Sequence, residues 1–255
     1  MGCSGFGALA LALNFLAMSC AFTALLTPLW VSNTGVDPSY TNVVKSVDTK
    51  VGVWAICFDT KWDNTGTLVK GDKTAANFNI KDCYAYFNPL ERTIARFDGQ
   101  LKFDKYTTSV CNHYEADNDR AAGAMGIMAG MRKDNMGAFL AKTCSTSGKA
   151  ALAMVIGTCV CLVLSFVLLV VGVSCCDNKS CIVQMTRFLA ILACLFSTVL
   201  SFFVFSQLSQ LRYADGRYDA SLYLEIGAFV LTIALTWAIE QHVLRGGKKP
   251  FADQL

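Results

Sequence analysis

Four stretches of this chain carry almost no charge, and they leave it few ways to fold. Residues 6–29, 150–174 and 188–206 contain no Asp, Glu, Lys or Arg, and 222–239 contains only Glu225. Each falls within the roughly 17–25 residues a helix needs to cross a bilayer. Most of the charged residues lie between the first and second stretches, in 31–148. Charged residues are only 16% of the chain, against about 25% in a soluble domain. The net charge of +3 is too small, and too mixed in sign, for a nucleic-acid partner. The expectation is an integral membrane protein of membrane α+β class. Its four-helix transmembrane bundle (6–29, 150–174, 188–206 and 222–240) meets the membrane lipid.

The first stretch reads as a retained span rather than a signal peptide. No basic residue precedes it, and its apolar run exceeds the roughly 7–15 residues of a signal core. Pro28 and Leu29 end it, with Trp30 where an indole sits at the headgroup level. Met1-Gly2-Cys3-Ser4 resembles a myristoylation start, but Phe6 stands where Ser or Thr is needed, leaving Cys3 as a candidate for palmitoylation. Small residues recur four apart, at Ala8 and Ala12, Ala17 and Ala21, Gly157 and Cys161, and Ser197 and Ser201. That spacing lets helices approach closely.

Four spans put both termini on one side. Lys179 and Arg187 in loop 175–187, with Arg245, Lys248 and Lys249 in tail 241–255, outnumber Arg212 and Arg217 in loop 207–221. The positive-inside rule therefore places both termini in the cytosol and 31–148 outside, at the plasma membrane. Glu225 is expected near an interface, snorkelling or pairing with Arg217 or Arg212. A proton relay is the less favoured reading. Cys57, Cys83, Cys111 and Cys144 then lie in an oxidising compartment, where four cysteines allow three disulfide pairings. Cys175, Cys176 and Cys181 follow the second span as juxtamembrane palmitoylation candidates, with unmodified thiols as the alternative. Asn178-Lys179-Ser180 is a glycosylation sequon on the wrong side of the membrane.

The long segment is too large to be structureless. Val51, Val53 and Ala55 alternate with Gly52, Trp54 and Ile56 as in a strand, and Cys83-Tyr84-Ala85-Tyr86-Phe87 alternates likewise. A third strand is expected over 106–111. Asn88-Pro89-Leu90-Glu91 has the capping signals of a helix, with Leu90, Ile94 and Phe97 on one face. Residues 119–143 also read as helical. There Met125, Met128, Met131 and Met136 either pack against their neighbours or form an adaptable binding face.

In this four-span setting, Trp30, the run Gly52-Val53-Trp54-Ala55-Ile56-Cys57 and Cys83 resemble the signature of the claudin, peripheral myelin protein and calcium-channel gamma-subunit superfamily. That signature is a Trp ending the first span, then Gly-Leu-Trp-x-x-Cys and a second Cys, with Val53 here for the usual Leu. Ala150-Ala151-Leu152-Ala153-Met154-Val155-Ile156 and Tyr218-Asp219-Ala220-Ser221-Leu222-Tyr223 are similar to the openings of claudin second and fourth spans. The resemblance covers about half the chain. It implies a small extracellular antiparallel β-sheet stapled by Cys57–Cys83, here with extra helices in an expanded loop. The family's cysteines are usually closer together, so Cys111 or Cys144 competes as the partner of Cys57. Asp82 lies near the positions where claudins carry ion-selecting charges.

The resemblance further implies contact with other membrane proteins, either like copies on the same or an adjacent cell at a junction, or a larger channel or receptor that takes an accessory subunit. Catalysis is not expected. No Cys-x-x-Cys occurs, and the two histidines, His113 and His242, lie on opposite sides of the membrane. A metal site of Cys111, His113 and Cys144 competes with a structural disulfide and is disfavoured. No cofactor or metal is expected. Transport is disfavoured by the absence of charge from the middle of the spans. The terminal residues Asp253 and Leu255 offer a tail for a cytosolic PDZ scaffold.

Overall fold

The computed structural model describes residues 5–62, 79–97, 101–175, 181–212 and 217–245. In chain order these form α1 (Gly5–Leu26), β1 (Val31–Asn33), a 3₁₀ turn (Pro38–Tyr40), β2 (Val44–Val51), β3 (Ala55–Trp62) and β4 (Asn79–Ala85). There follow β5 (Arg92–Phe97), β6 (Leu101–Tyr106), α2 (Val110–Ala116), α3 (Asn118–Met128) and α4 (Lys133–Thr143). The chain then runs through α5 (Thr146–Cys175), α6 (Cys181–Arg212), β7 (Arg217–Tyr218) and α7 (Ala220–Arg245). Four of these helices, α1, α5, α6 and α7, are long and apolar enough to cross a membrane. Each departs from the apolar stretch that announced it. α6 is the extreme case, opening at Cys181 rather than 188 and closing at Arg212 rather than 206. Hydropathy registers only the lipid-compatible part of a helix, whereas residues such as Gln184, Met185 and Arg187 are good helix formers.

The chain divides into two compact units. One is all-helical and combines α1 with Ala153–Ser201 and the chain from Tyr223 onward. α1 buries Gly7, Ala10, Asn14, Ala17, Ala21 and Ala24, steps of three and four that trace a single helical stripe. The stripe is small-residued because helix packing in lipid depends on close van der Waals approach. A Cβ at Gly7 would stand 3.1 Å from Val173, and one at Gly157 would stand 2.9 Å from the Phe196 ring. Phe15, Leu195 and Val230 face outward. So do Ala8 and Ala12, which corrects the expectation that this pair packs. A fourfold spacing of small residues occurs on several faces of an Ala-rich helix, and here the seam follows Ala10, Ala17 and Ala24.

Two polar contacts cross the core of this unit. The Asn14 side chain is hydrogen-bonded to Ser165 Oγ at 2.9 Å. Ser197 Oγ donates to Glu225 Oε1 at 2.7 Å. Glu225 is 1% exposed, so it does not snorkel, and Ser197 is its hydrogen-bond partner among the described residues; the Arg212 side chain lies outside the described residues. Ser197 meets it from α6 because both lie on inward stripes of their helices.

The other unit, Thr27–Leu152 with Phe202–Leu222, carries the sheets. β4-β3-β2-β1-β7 form a five-stranded antiparallel sheet, and β5-β6 form a two-stranded one. Val47, Thr49 and Val51 of β2 and Ile56, Phe58 and Thr60 of β3 are buried. The end of α3 is tied to this sheet, and the turn after it to the 3₁₀ turn, by backbone carbonyls. Thr60 Oγ1 donates to Met128 O at 2.5 Å, and the Asp37 amide donates to Gly130 O at 2.8 Å.

Several local expectations are overturned here. Residues 119–143 are two helices, α3 and α4, broken where Gly130 takes a φ of 65°. A Cβ there would also meet Gly35 O at 3.0 Å, so the turn needs glycine. Met125, Met128, Met131 and Met136 are all buried, which makes them core rather than a binding face. The helix expected after Asn88 is instead strand β5. Leu90 and Ile94 are four apart, a spacing that suits one face of a strand as well as a helix. In sequence, Asp98-Gly99 is a dipeptide type favoured in hairpin turns, and it lies outside the described residues. The strand expected over 106–111 ends at Tyr106, because Ser109 accepts from the Asn112 amide at 3.2 Å and caps α2. The motif 52–57 is likewise not one strand. It is a turn followed by the start of β3.

Candidate functional site

The signature residues come together around that turn. Gly52 N–H donates to Ala55 O at 2.8 Å, closing the connection between β2 and β3. A Cβ on Gly52 would lie 2.9 Å from Pro28 Cα, so a close backbone approach demands glycine at this point. Trp30 N–H donates to Val51 O at 2.9 Å, and its carbonyl accepts from the Asp219 amide at 3.1 Å. Trp30 is 1% exposed, so its indole fills protein core instead of facing a headgroup layer. Trp54 is half-buried, and its carbonyl accepts from the Tyr86 amide at 3.0 Å.

Cys57 of β3 stands opposite Cys83 of β4 in the antiparallel register, and the two form a disulfide. Cys111 and Cys144 form a second, joining α2 to the end of α4. The competition among four cysteines is thereby resolved by strand register, which no sequence spacing encodes. The second bridge also uses the two thiols that a metal site with His113 would have needed. Among the described residues no group of three or more His, Cys, Asp or Glu is placed to hold a metal ion.

Aromatic packing and charge pairs surround these staples. Tyr84 lies between Phe58 and Tyr106, at ring-centroid distances of 5.4 and 5.7 Å. Burial raises the pKa of the Tyr84, Tyr86 and Tyr106 phenols above the usual tyrosine value, so all three stay neutral. Asp82 pairs with Arg92 at 3.4 Å. Asp37 pairs with Arg132 at 3.0 Å, and hydrogen bonds from Ser39, more than Arg132, hold its carboxyl below the ordinary value. β7 adds the smaller loop to the sheet beside β1, an element too short for sequence patterning to reveal.

The remaining candidates are scattered. Cys181 is exposed at the start of α6 and Cys175 ends α5. Cys176, the sequon at Asn178, Cys3, and the tail residues Asp253 and Leu255 lie outside the described residues. Against known proteins, no family model matches this chain, and no curated protein matches it at a significant level.

Proposed function

We propose that this chain is a claudin-like plasma-membrane tetraspan without enzymatic activity, acting by protein–protein contact through an extracellular, disulfide-stapled sheet at a cell–cell junction. Both termini are cytosolic in this reading, and the partners are like copies in the same or the adjacent cell. The observation that carries it is the convergence of Trp30, the Gly52 turn and the Cys57–Cys83 bridge on one end of β2 and β3. That arrangement supports the resemblance to the claudin, peripheral myelin protein and gamma-subunit superfamily. Two oxidised cysteine pairs support an oxidising compartment for this unit. The excess of basic residues in loop 175–187 and the tail supports the same orientation.

Freeze-fracture of cells expressing the full chain tests the reading. Continuous intramembrane strands where two expressing cells meet are the expected result. Dispersed particles, with a larger pore-forming protein co-purifying in stoichiometric amount, would instead make this an accessory, gamma-type subunit of a channel or receptor. The tail extends the proposal to a PDZ scaffold bound through Asp253 and Leu255. Deleting Leu255 should abolish that binding, and scaffold binding that persists would remove it.

A further inference from the structure

The hairpin of β5 and β6, with His113 of α2 and Arg120 of α3, frames an open cleft of about 500 Å³. Its walls are rich in donors. Arg96, Lys105 and Arg120 bring cationic groups, and Thr107 and Thr108 bring hydroxyls. One carboxylate opposes them, Asp104, which pairs with Arg96. Lys105 pairs with Glu91, and both side chains of that pair are about two-thirds exposed, so solvent screens it heavily. Arg120 engages only its backbone N–H, which donates to Asp117 at 3.0 Å. Its exposed guanidinium has no ion pair among the described residues.

Two residues of the same cleft carry buried polar atoms with no hydrogen-bond partner among the described residues, Tyr106 Oη and His113 Nε2. Tyr106 is only 5% exposed, and its ring meets the His113 imidazole edge-on at 5.5 Å. Buried polar atoms in folded proteins nearly always have a hydrogen-bond partner, so orphans at one cleft call for an explanation. Arg96 and Lys105 are each matched by a carboxylate, which leaves Arg120 as the lining cation without an ion pair among the described residues and gives the missing partner a sign. We propose that this cleft binds a small oxyanion, a sulfate or carboxylate group, held by Arg120 and Arg96 with the Thr107 and Thr108 hydroxyls. Planar guanidinium groups suit such ligands because they offer paired, charge-assisted hydrogen bonds. The inference concerns this one unit and does not depend on the junctional reading.

The chain has two histidines, so histidine-selective ¹⁵N labelling of the full chain in detergent micelles gives two imidazole environments. Sodium sulfate is titrated against sodium chloride at constant ionic strength. A saturable shift of the His113 signal, with His242 unmoved, is expected. Arg120→Ala should weaken the affinity about tenfold, the order expected for one lost charge-assisted hydrogen bond. Arg120→Lys should recover part of that loss, and Arg132→Ala, in the ion pair with Asp37, should change nothing. If Arg120→Ala fails to fold, Thr107→Val provides the second variant and should weaken binding by a smaller factor. An unsaturable shift, equal shifts at both histidines, or unchanged affinity in both variants would overturn the site and leave a hydrated surface cleft. A monosaccharide sulfate that binds more tightly than inorganic sulfate assigns the group to a sugar. The reverse order assigns it to the free ion, and either order upholds the oxyanion site.

Discussion

The helical unit and the sheet unit of this chain achieve cohesion by different means. The helical unit has no crosslink among its described residues. Its seam is lined by Ala10, Ala17, Ala21, Ala190, Ala193, Ala228 and Ala238 together with Leu162, Leu169, Leu235 and Ile239, while its aromatic Phe15, Phe188 and Trp237 face outward. The sheet unit buries Trp30, Phe58, Tyr84, Tyr86 and Phe139 and carries both disulfides. In lipid an outward Leu costs nothing, so packing is won by letting backbones approach. In water large aromatic side chains are worth burying, and a small domain gains further from staples. The contrast teaches that one chain satisfies two solvents, each with its own rule for where bulk belongs.

Substitutions that respect one rule and violate the other should separate the two units. Trp30→Ala removes the largest fully buried side chain of the sheet unit, and should cost about 3–5 kcal/mol. Protease resistance of 31–148 should fall while far-UV helical signal persists; equal loss of both would show that the units do not melt separately. Replacing Cys57 and Cys83 together by Ser opens a loop with a sequence separation of 26. It should cost about 3 kcal/mol, chiefly by freeing the unfolded chain. Denaturant unfolding of the sheet unit reads this loss, and an unchanged midpoint would show that the bridge contributes nothing.

On the helical side, Ala17→Leu adds bulk to a fully buried stripe and should destabilise by about 1–3 kcal/mol. Ala12→Leu, on an exposed position of the same helix, should be neutral. Thermal unfolding in micelles distinguishes them, and equal effects would contradict the placement of the seam. The smallest expected effect is on pH dependence. Burial lowers the His113 pKa, against the opposing pull of Asp117 and with help from Arg96, so the native state favours neutral imidazole. The unfolded chain therefore binds the extra proton first, near its ordinary value of about 6.5. The stabilisation is present above that pH and is lost as pH falls through the lowered native value. The melting temperature of the sheet unit should decline over this window, and the His113→Gln variant should lack that component.

Much of this contrast was legible in the sequence. The four nearly uncharged runs located the long helices because lipid compatibility is a property of composition. The alternation at 51–56 and 83–87 marked strands because side chains on a strand alternate between its faces, and the resemblance carried by Trp30, Gly52, Trp54 and Cys57 implied a stapled sheet. Other features were hidden for physical reasons. The partner of Cys57 depends on strand register between β3 and β4, a long-range property. The 88–97 stretch carried valid helix-capping signals, and pairing with β6 overrode them. Glu225 looked like an interfacial residue because hydropathy does not report which face of a helix a side chain occupies, and Ser197 lies 28 positions away. The donor-rich cleft draws Arg96, Lys105, His113 and Arg120 from four elements, so no local motif announces it.

The comparison rests most directly on which cysteines are oxidised. Tryptic cleavage puts Cys57, Cys83, Cys111 and Cys144 in four separate peptides, 51–61, 82–92, 106–120 and 143–149. Mass spectrometry of the chain recovered from intact cells, alkylated without reduction, should find 51–61 linked to 82–92 and 106–120 linked to 143–149, with Cys181 outside any disulfide. A free Cys57, or a bridge from Cys57 to Cys111 or Cys144, would contradict the account.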